Sequence, residues 1–236
     1  AGNISLKGNG ISVGDLYLTG LEVDESTHAL TLLSRAPDPT MFSFGRISAY
    51  APNSTVSITS AATLLFDPLD KLTPSALPDD LRLASIGGKL CVGARDGGAC
   101  IVSDLDLAGS VDLQGQLGIE VGSVTAGRGA RLRAAAGSVV AGDVEGDVVD
   151  IQAGAKLEPP ARSDPWSAGE GNFTASVGNV AARDGTVLLL GRDGVTAGEV
   201  SQARVDAPAP QVAEVELRSK SGSIVAGTVE SLGDDP

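Results

Sequence analysis

GSVVAGDV at residues 137–144 and GSIVAGTV at residues 222–229 are near-copies of one phrase of valine, glycine and small residues, set 85 positions apart. The copy extends outward. RLRAAAGSVVAGDV (131–144) aligns with ELRSKSGSIVAGTV (216–229), giving a frame of Leu-Arg, three small or polar residues, Gly-Ser, Val/Ile-Val-Ala-Gly, any residue, Val. Looser copies begin at Gly122 (GSVTAG), Gly194 (GVTAGEV) and Ile4 (ISLKGNGISVGDL). Physically the frame describes two very short strands joined by a corner. Apolar and polar residues alternate along each strand, as in DLDLAGSVDLQG (104–115), so one face points inward and the other outward. The corners take Gly, Ser, Asp or Asn, where the chain bends tightly.

Helix signals are sparse. SAATLLFDPLDKL (60–72) and PDDLRLAS (78–85) allow at most a turn or two, and no stretch sustains a 3.6-residue apolar period with caps at both ends. The fold class is therefore all-β. Aromatic residues make up only 3% of the chain, so the core is built from Val, Leu, Ile and Ala, which suits thin regular layers. Short strands, few aromatics and a repeating frame favour a parallel β-solenoid (β-helix) over a sandwich, with glycine corners and irregular proline-rich insertions. At about 20 residues per coil, the 85-residue separation predicts some four coils, and the whole chain some eleven. The expected organisation is an irregular N-terminal β region over 1–65 acting as a cap, a proline-rich excursion over 66–83, and solenoid repeats over 84–236. An insertion at 158–171 (EPPARSDPWSAGEG) interrupts the repeats.

The repeats GSVVAGDVEGDV (137–148) and VDIQAGAKL (149–157) resemble the degenerate repeats of filamentous-haemagglutinin-type adhesins and other right-handed parallel β-helix surface proteins. The resemblance is one of repeat style, covers mostly residues 109–157 and 185–227, and carries over no functional residue. It implies an extracellular rod that adheres or assembles.

Compartment has its own signals. Cys91 and Cys100 bracket CVGARDGGAC, with turn chemistry at Asp96-Gly97-Gly98, which suits a disulfide closing a hairpin-like loop in an oxidising compartment. Three of the five asparagines, Asn3, Asn53 and Asn172, open Asn-x-Ser/Thr sequons, an N-glycosylation pattern of secreted chains. The chain starts Ala-Gly-Asn, as expected of a processed or trimmed protein. No apolar run is long enough for a membrane span. With a net charge of −13 and no cluster of Lys or Arg, nucleic acid is not an expected partner.

Chemistry is harder to find. The acidic pairs are Asp79-Asp80, Asp234-Asp235, and Asp104 with Asp106, which share one strand face. The sole histidine is His28, far in sequence from Ser75 in LTPSALP. Asp143, Glu145 and Asp147 alternate along one strand, which is not the wrapping arrangement calcium needs. No His/Cys metal cluster and no phosphate-binding glycine loop is present, so neither metal nor cofactor is expected. The sequence points to a non-enzymatic, secreted or cell-surface structural protein, a subunit of a filament, appendage or coat. Its expected partners are copies of itself or another extracellular structural protein. The alternative is a carbohydrate- or surface-binding adhesin domain using the proline-rich insertions, with Trp166 as the exposed aromatic that holds a glycan.

Overall fold

The computed structural model describes residues 4–8, 11–18, 29–35, 42–49, 53–156, 165–167, 171–203 and 214–231. Their regular structure is almost all β, in three long sheets of nine, eight and six strands, parallel except for one antiparallel hairpin, which the chain visits in rotation, and in two separate two-stranded sheets within the first two circuits.

The first circuit is β1 (Ile4–Gly8), β2 (Ile11–Val13) and β3 (Leu16–Leu18). The second is β4 (Ala29–Ser34), β5 (Phe42–Phe44) and β6 (Ile47–Ala49). The third has β7 (Thr55–Ser60) and β8 (Leu64–Phe66), then helix α1 (Pro68–Lys71), after which Leu72 bridges parallel to Ile47 where a last strand would lie. The fourth contains β9 (Asp80–Ser85), β10 (Leu90–Asp96), β11 (Ala99–Val102) and β12 (Leu105–Leu107). The fifth is β13 (Val111–Gly115), β14 (Ile119–Glu120) and β15 (Val124–Ala126). The sixth is β16 (Gly129–Ala134), β17 (Val139–Val140) and β18 (Val144–Gly146). The seventh is β19 (Val148–Ala153), β20 (Thr174–Ser176) and β21 (Val180–Ala182). The eighth is β22 (Val187–Gly191), β23 (Gly194–Ala197) and β24 (Val200–Gln202). The ninth is β25 (Val215–Ser219), β26 (Ile224–Ala226) and β27 (Val229–Ser231).

The first strand of every circuit joins one nine-stranded sheet, β1-β4-β7-β9-β13-β16-β19-β22-β25. Its register stacks like on like. One inward column, Leu6–Leu32–Ile58–Leu83–Leu113–Leu132–Ile151–Leu189–Leu217, is leucine or isoleucine throughout. Each fully buried member removes a side chain worth about 1.5–3 kcal/mol from water. Two residues further on, the inward position is always Gly, Ala or Ser. A Cβ at Gly115 would sit 2.1 Å from the Gly118 carbonyl, so the turn into the second sheet leaves no room for more. Where serine stands there it is spent on the backbone, as Ser85 shows by donating to the Ala62 carbonyl at 2.7 Å.

Three expectations need correction. The two copies of the opening phrase lie in the sixth and ninth circuits, three apart and not four. Uninterrupted steps are short: Val111, Ala130 and Val149 align at 19-residue intervals. Val144 and Val180 are neighbours across 36 residues, and Val200 and Val229 across 29, because longer connections are inserted between strands. For the same reason the described residues form nine circuits where eleven were expected. Lastly, PDDLRLAS, considered as a helical turn, forms strand β9. The short helix α1 falls where a turn was allowed, with Asp67 accepting from the Leu69 N–H at its start and Pro68 in its first turn.

Candidate functional site

The repeated phrase resolves into a corner. In GSVVAGDV, Val139 and Val140 form β17, Gly142 makes the bend, and Val144 starts β18 pointing inward. The residue between, Asp143, reaches to the next circuit, where its Oδ1 accepts the Asn179 N–H at 2.7 Å. Asn179 repeats the contact to the Glu199 N–H at 2.9 Å, and Asp104 makes it to the Ser123 N–H at 2.6 Å. Asp15 does the same for the Arg46 N–H at 2.9 Å. The capping oxygen explains the glycine. A Cβ on Gly178 would lie 2.3 Å from Asp143 Oδ1, and one on Gly122 would lie 2.3 Å from Asp104 Oδ1. Gly122 and Gly178 are thus required by the caps of the circuits before them.

Backbone N–H groups of neighbouring circuits engage four of the nine acidic residues that the sequence singled out, Asp79, Asp80, Asp104 and Asp143. Asp104 is a cap, and Asp106 faces outward on β12 beside Thr125. Asp79 accepts the Asn53 N–H at 2.6 Å, and Asp80 accepts the Ser110 N–H at 2.6 Å while pairing with Arg128 at 2.7 Å. Glu145 and Asp147 lie 3.5 and 3.4 Å from the Arg183 guanidinium. Among the described residues no three His, Cys, Asp or Glu side chains converge as a metal site. His28, Asn3, Asp234 and Asp235 lie outside the described residues.

Trp166 corrects an expectation. It is only 8% exposed and bridges antiparallel to Ala155, folded back beside the end of β19. Neighbouring bonds hold it there: the Lys156 N–H donates to the Pro165 carbonyl and the Ser167 N–H to the Gly154 carbonyl, both at 2.9 Å. Its ring is therefore not presented for stacking on a sugar. Asn53 and Asn172 are both exposed, Asn53 in a turn at φ 57°.

Cys91 and Cys100 form the disulfide, closing the hairpin of β10 and β11. The first half of β10 lies in the second sheet, with Cys91 between Leu65 and Glu120 in register. Leu90 and Val92 point into the core, so Cys91 points out, and the disulfide pins the hairpin across the outer face. The turn is Gly97-Gly98, with φ of 53° and 95°, the pairing that a two-residue hairpin with the native strand twist demands.

Beside the hairpin opens a cleft of about 420 Å³ lined by Thr63, Leu65, Lys89, Arg95, the disulfide and Glu120. Lys89 is engaged with Glu120 at 2.9 Å. The cleft offers two cations, one carboxylate and an apolar floor, a set that can hold a polar ligand. Sequence reading found the cysteine loop but not this cleft, because Lys89, Arg95 and Glu120 come together only through register between circuits. A second polar cluster ties three circuits together. The Phe173 N–H and the Ser221 hydroxyl donate to Asp193 at 3.0 and 2.7 Å, and together with Arg192 at 3.4 Å they hold its carboxyl below the usual carboxylate range. Arg192 also stacks 4.5 Å over the Phe173 ring.

Among the described residues no helix is long and apolar enough to cross a membrane. No protein-family model matches the chain, and neither a curated protein nor a solved structure is significantly similar to it.

Proposed function

We propose that the three-sheet winding is a parallel β-solenoid and that the chain is a non-catalytic extracellular structural protein, a subunit of a filament, appendage or coat that assembles by solenoid packing. The observation that carries this reading is the ninth circuit. Its strands β25, β26 and β27 form one edge of each sheet, and Ile224 and Val229 are 46% and 51% exposed where the equivalent Val195 and Val200 are buried. An open parallel edge with apolar residues on its core side is a template for another strand row. The disulfide and the sequons at Asn3, Asn53 and Asn172 support a secreted or cell-surface location.

Negative-stain electron microscopy of the purified chain over a range of concentrations tests the structural reading. Filaments or regular multimers are expected, and a dispersion of single particles at every concentration would count against it. Mass spectrometry before and after glycosidase treatment tests the compartment, with glycan on at least one sequon as the expected result.

The hairpin cleft favours a second reading as a carbohydrate- or surface-binding adhesin domain, with Arg95 and Lys89 as contacts in place of the buried Trp166. Glycan-array binding that is lost in Arg95→Ala would favour it.

A further inference from the structure

Among the corner glycines, Gly14 alone would meet nothing at all within 4 Å if it carried a Cβ, whereas Gly227, which also has no cap oxygen against it, lies 3.2 Å from the Gly198 carbonyl. Gly14, in the first circuit, holds the same place in the frame as Gly45, Gly122, Gly178 and Gly198, one residue before the cap position and two before an inward apolar residue. A Cβ on each of those four would collide with the cap oxygen of an earlier circuit, at 2.2, 2.3, 2.3 and 2.5 Å respectively. A Cβ on Gly14 would meet nothing within 4 Å. Its backbone does not use the left-handed region either. At the opposite end, Thr228 of the ninth circuit occupies the cap position, yet among the described residues no later circuit follows for it to cap. Among the described residues the first circuit thus has a vacant cap slot and the ninth an unused cap.

Resting on the structural reading above, we infer that the β1–β3 end of one copy stacks on the β25–β27 end of a second copy, head to tail, with Thr228 of one copy in the slot at Gly14 of the other. Parallel continuation fixes the register. Val13-Gly14-Asp15-Leu16 falls over Ala226-Gly227-Thr228-Val229, so the Thr228 hydroxyl accepts the Asp15 N–H as Asp104 accepts that of Ser123. In the tall sheet, Ile4 and Leu6 fall over Val215 and Leu217, extending the two inward columns without a break. These four, with Val13, are the apolar residues left half-buried against the core. On the outer face Ser5 falls over Glu216 and Lys7 over Arg218. Glu216, already 3.3 Å from Arg218, then stands between two cations and offsets their repulsion.

The alternatives do not fill the slot. Two β1–β3 ends meeting would run antiparallel and place Gly14 against Gly14, with no cap on either side. A head-to-tail contact uses different surfaces on the two copies, so it does not close on itself and propagates as a filament.

Sedimentation velocity of the whole chain is the test, run on wild type and Gly14→Val from low to high concentration. Gly14→Val adds a side chain where the folded chain has open space. It should keep the wild-type circular dichroism and melting temperature while weakening association at least tenfold. Wild type should show multimers that grow with concentration. The double variant Ser12→Cys/Val225→Cys reads the register directly. Both positions are exposed, Ser12 on β2 and Val225 on β26, the second strands of the first and ninth circuits, and within one chain they are eight circuits apart, about 38 Å at a strand spacing of ~4.8 Å. Mild oxidation should give a ladder of covalent multimers, and neither single variant should. If Gly14→Val proves misfolded, Val229→Asp at the exposed end takes its place. Multimers that persist in these variants, with no cysteine ladder, would overturn the end-to-end contact and leave self-assembly standing. Wild type that stays monomeric throughout would overturn both, and assign the vacant slot to something other than a copy of this chain.

Discussion

Val139 and Ile224 occupy the same place in the same phrase, one in the sixth circuit and one in the ninth. Val139 is fully buried, whereas Ile224 is 46% exposed. The same holds two positions after the corner glycine: Val144 is buried and Val229 is half exposed. Local shape is alike in both, since each copy makes a short strand, a glycine corner and a second strand. The phrase therefore encodes the bend and not the burial. Burial is supplied by the circuit stacked on top, and stability is shared between a circuit and its neighbours.

That comparison can be broken most forcefully with a charge. Val144→Asp places a carboxylate among core side chains, and should cost about 4 kcal/mol or more, enough to abolish a cooperative thermal transition. Val229→Asp makes the same change at the open end and should shift stability by less than about 0.5 kcal/mol in the isolated chain. Equal losses in chemical denaturation would show that the ninth circuit is covered after all.

Corner glycines sharpen the contrast at intermediate size. In Gly178→Ala the new methyl group would displace Asp143 from its cap, with an expected loss of about 2 kcal/mol. Gly14→Ala should be neutral or stabilising by up to about 1 kcal/mol, because it restricts the unfolded chain without a clash. Denaturation midpoints of the two variants against wild type decide it. A smaller step is Asp143→Ala, which leaves the Asn179 N–H without its acceptor and should cost about 1 kcal/mol, while Asp143→Asn should recover most of it. Thr228→Ala, the matching change at the open end, should cost nothing in the monomer.

The smallest effect is in acid. Asp193 is held below its ordinary value by the Phe173 and Ser221 donors and by Arg192. A lowered folded-state value means that the carboxylate stabilises the fold at pH values above its unfolded pKa of about 3.9. The contribution fades as pH falls below that value and through the folded one. Asp193→Asn should flatten the stability profile below about pH 4 and leave its shape unchanged at neutral pH. An acid limb below about pH 4 that is the same in Asp193→Asn as in wild type would show that the cluster contributes nothing to it.

Much of the local architecture could be read from the chain alone. The alternation in DLDLAGSVDLQG became β12 and β13 with Leu105, Leu107, Val111 and Leu113 all buried, and CVGARDGGAC became a disulfide-closed hairpin. Circuit counting failed because the repeat is regular in space but not in sequence. A step of 19 residues and one of 36 both advance the chain by one strand spacing. The caps were invisible for a related reason. Asp143 and Asn179 are joined across 36 residues, and nothing in either segment names the other. Of the paired carboxylates, Asp79, Asp80 and Asp104 accept backbone N–H groups of neighbouring circuits. Trp166 misled because a proline-rich surrounding reads as a projecting loop, whereas Trp166 itself bridges to Ala155 beside the end of β19.

The longer connection between β19 and β20 has a consequence for how such a chain changes over generations. It adds residues at a corner, and β19, β20 and the strands on both sides keep their pairing. One residue added within a strand would instead reverse which side chains face the core from that point to the end of the strand. Insertions and deletions are thus filtered by position, tolerated at bends and rejected between them. Corners are where this protein can lengthen, acquire new loops, or accept a grafted peptide, while the strands keep a length that selection cannot easily alter.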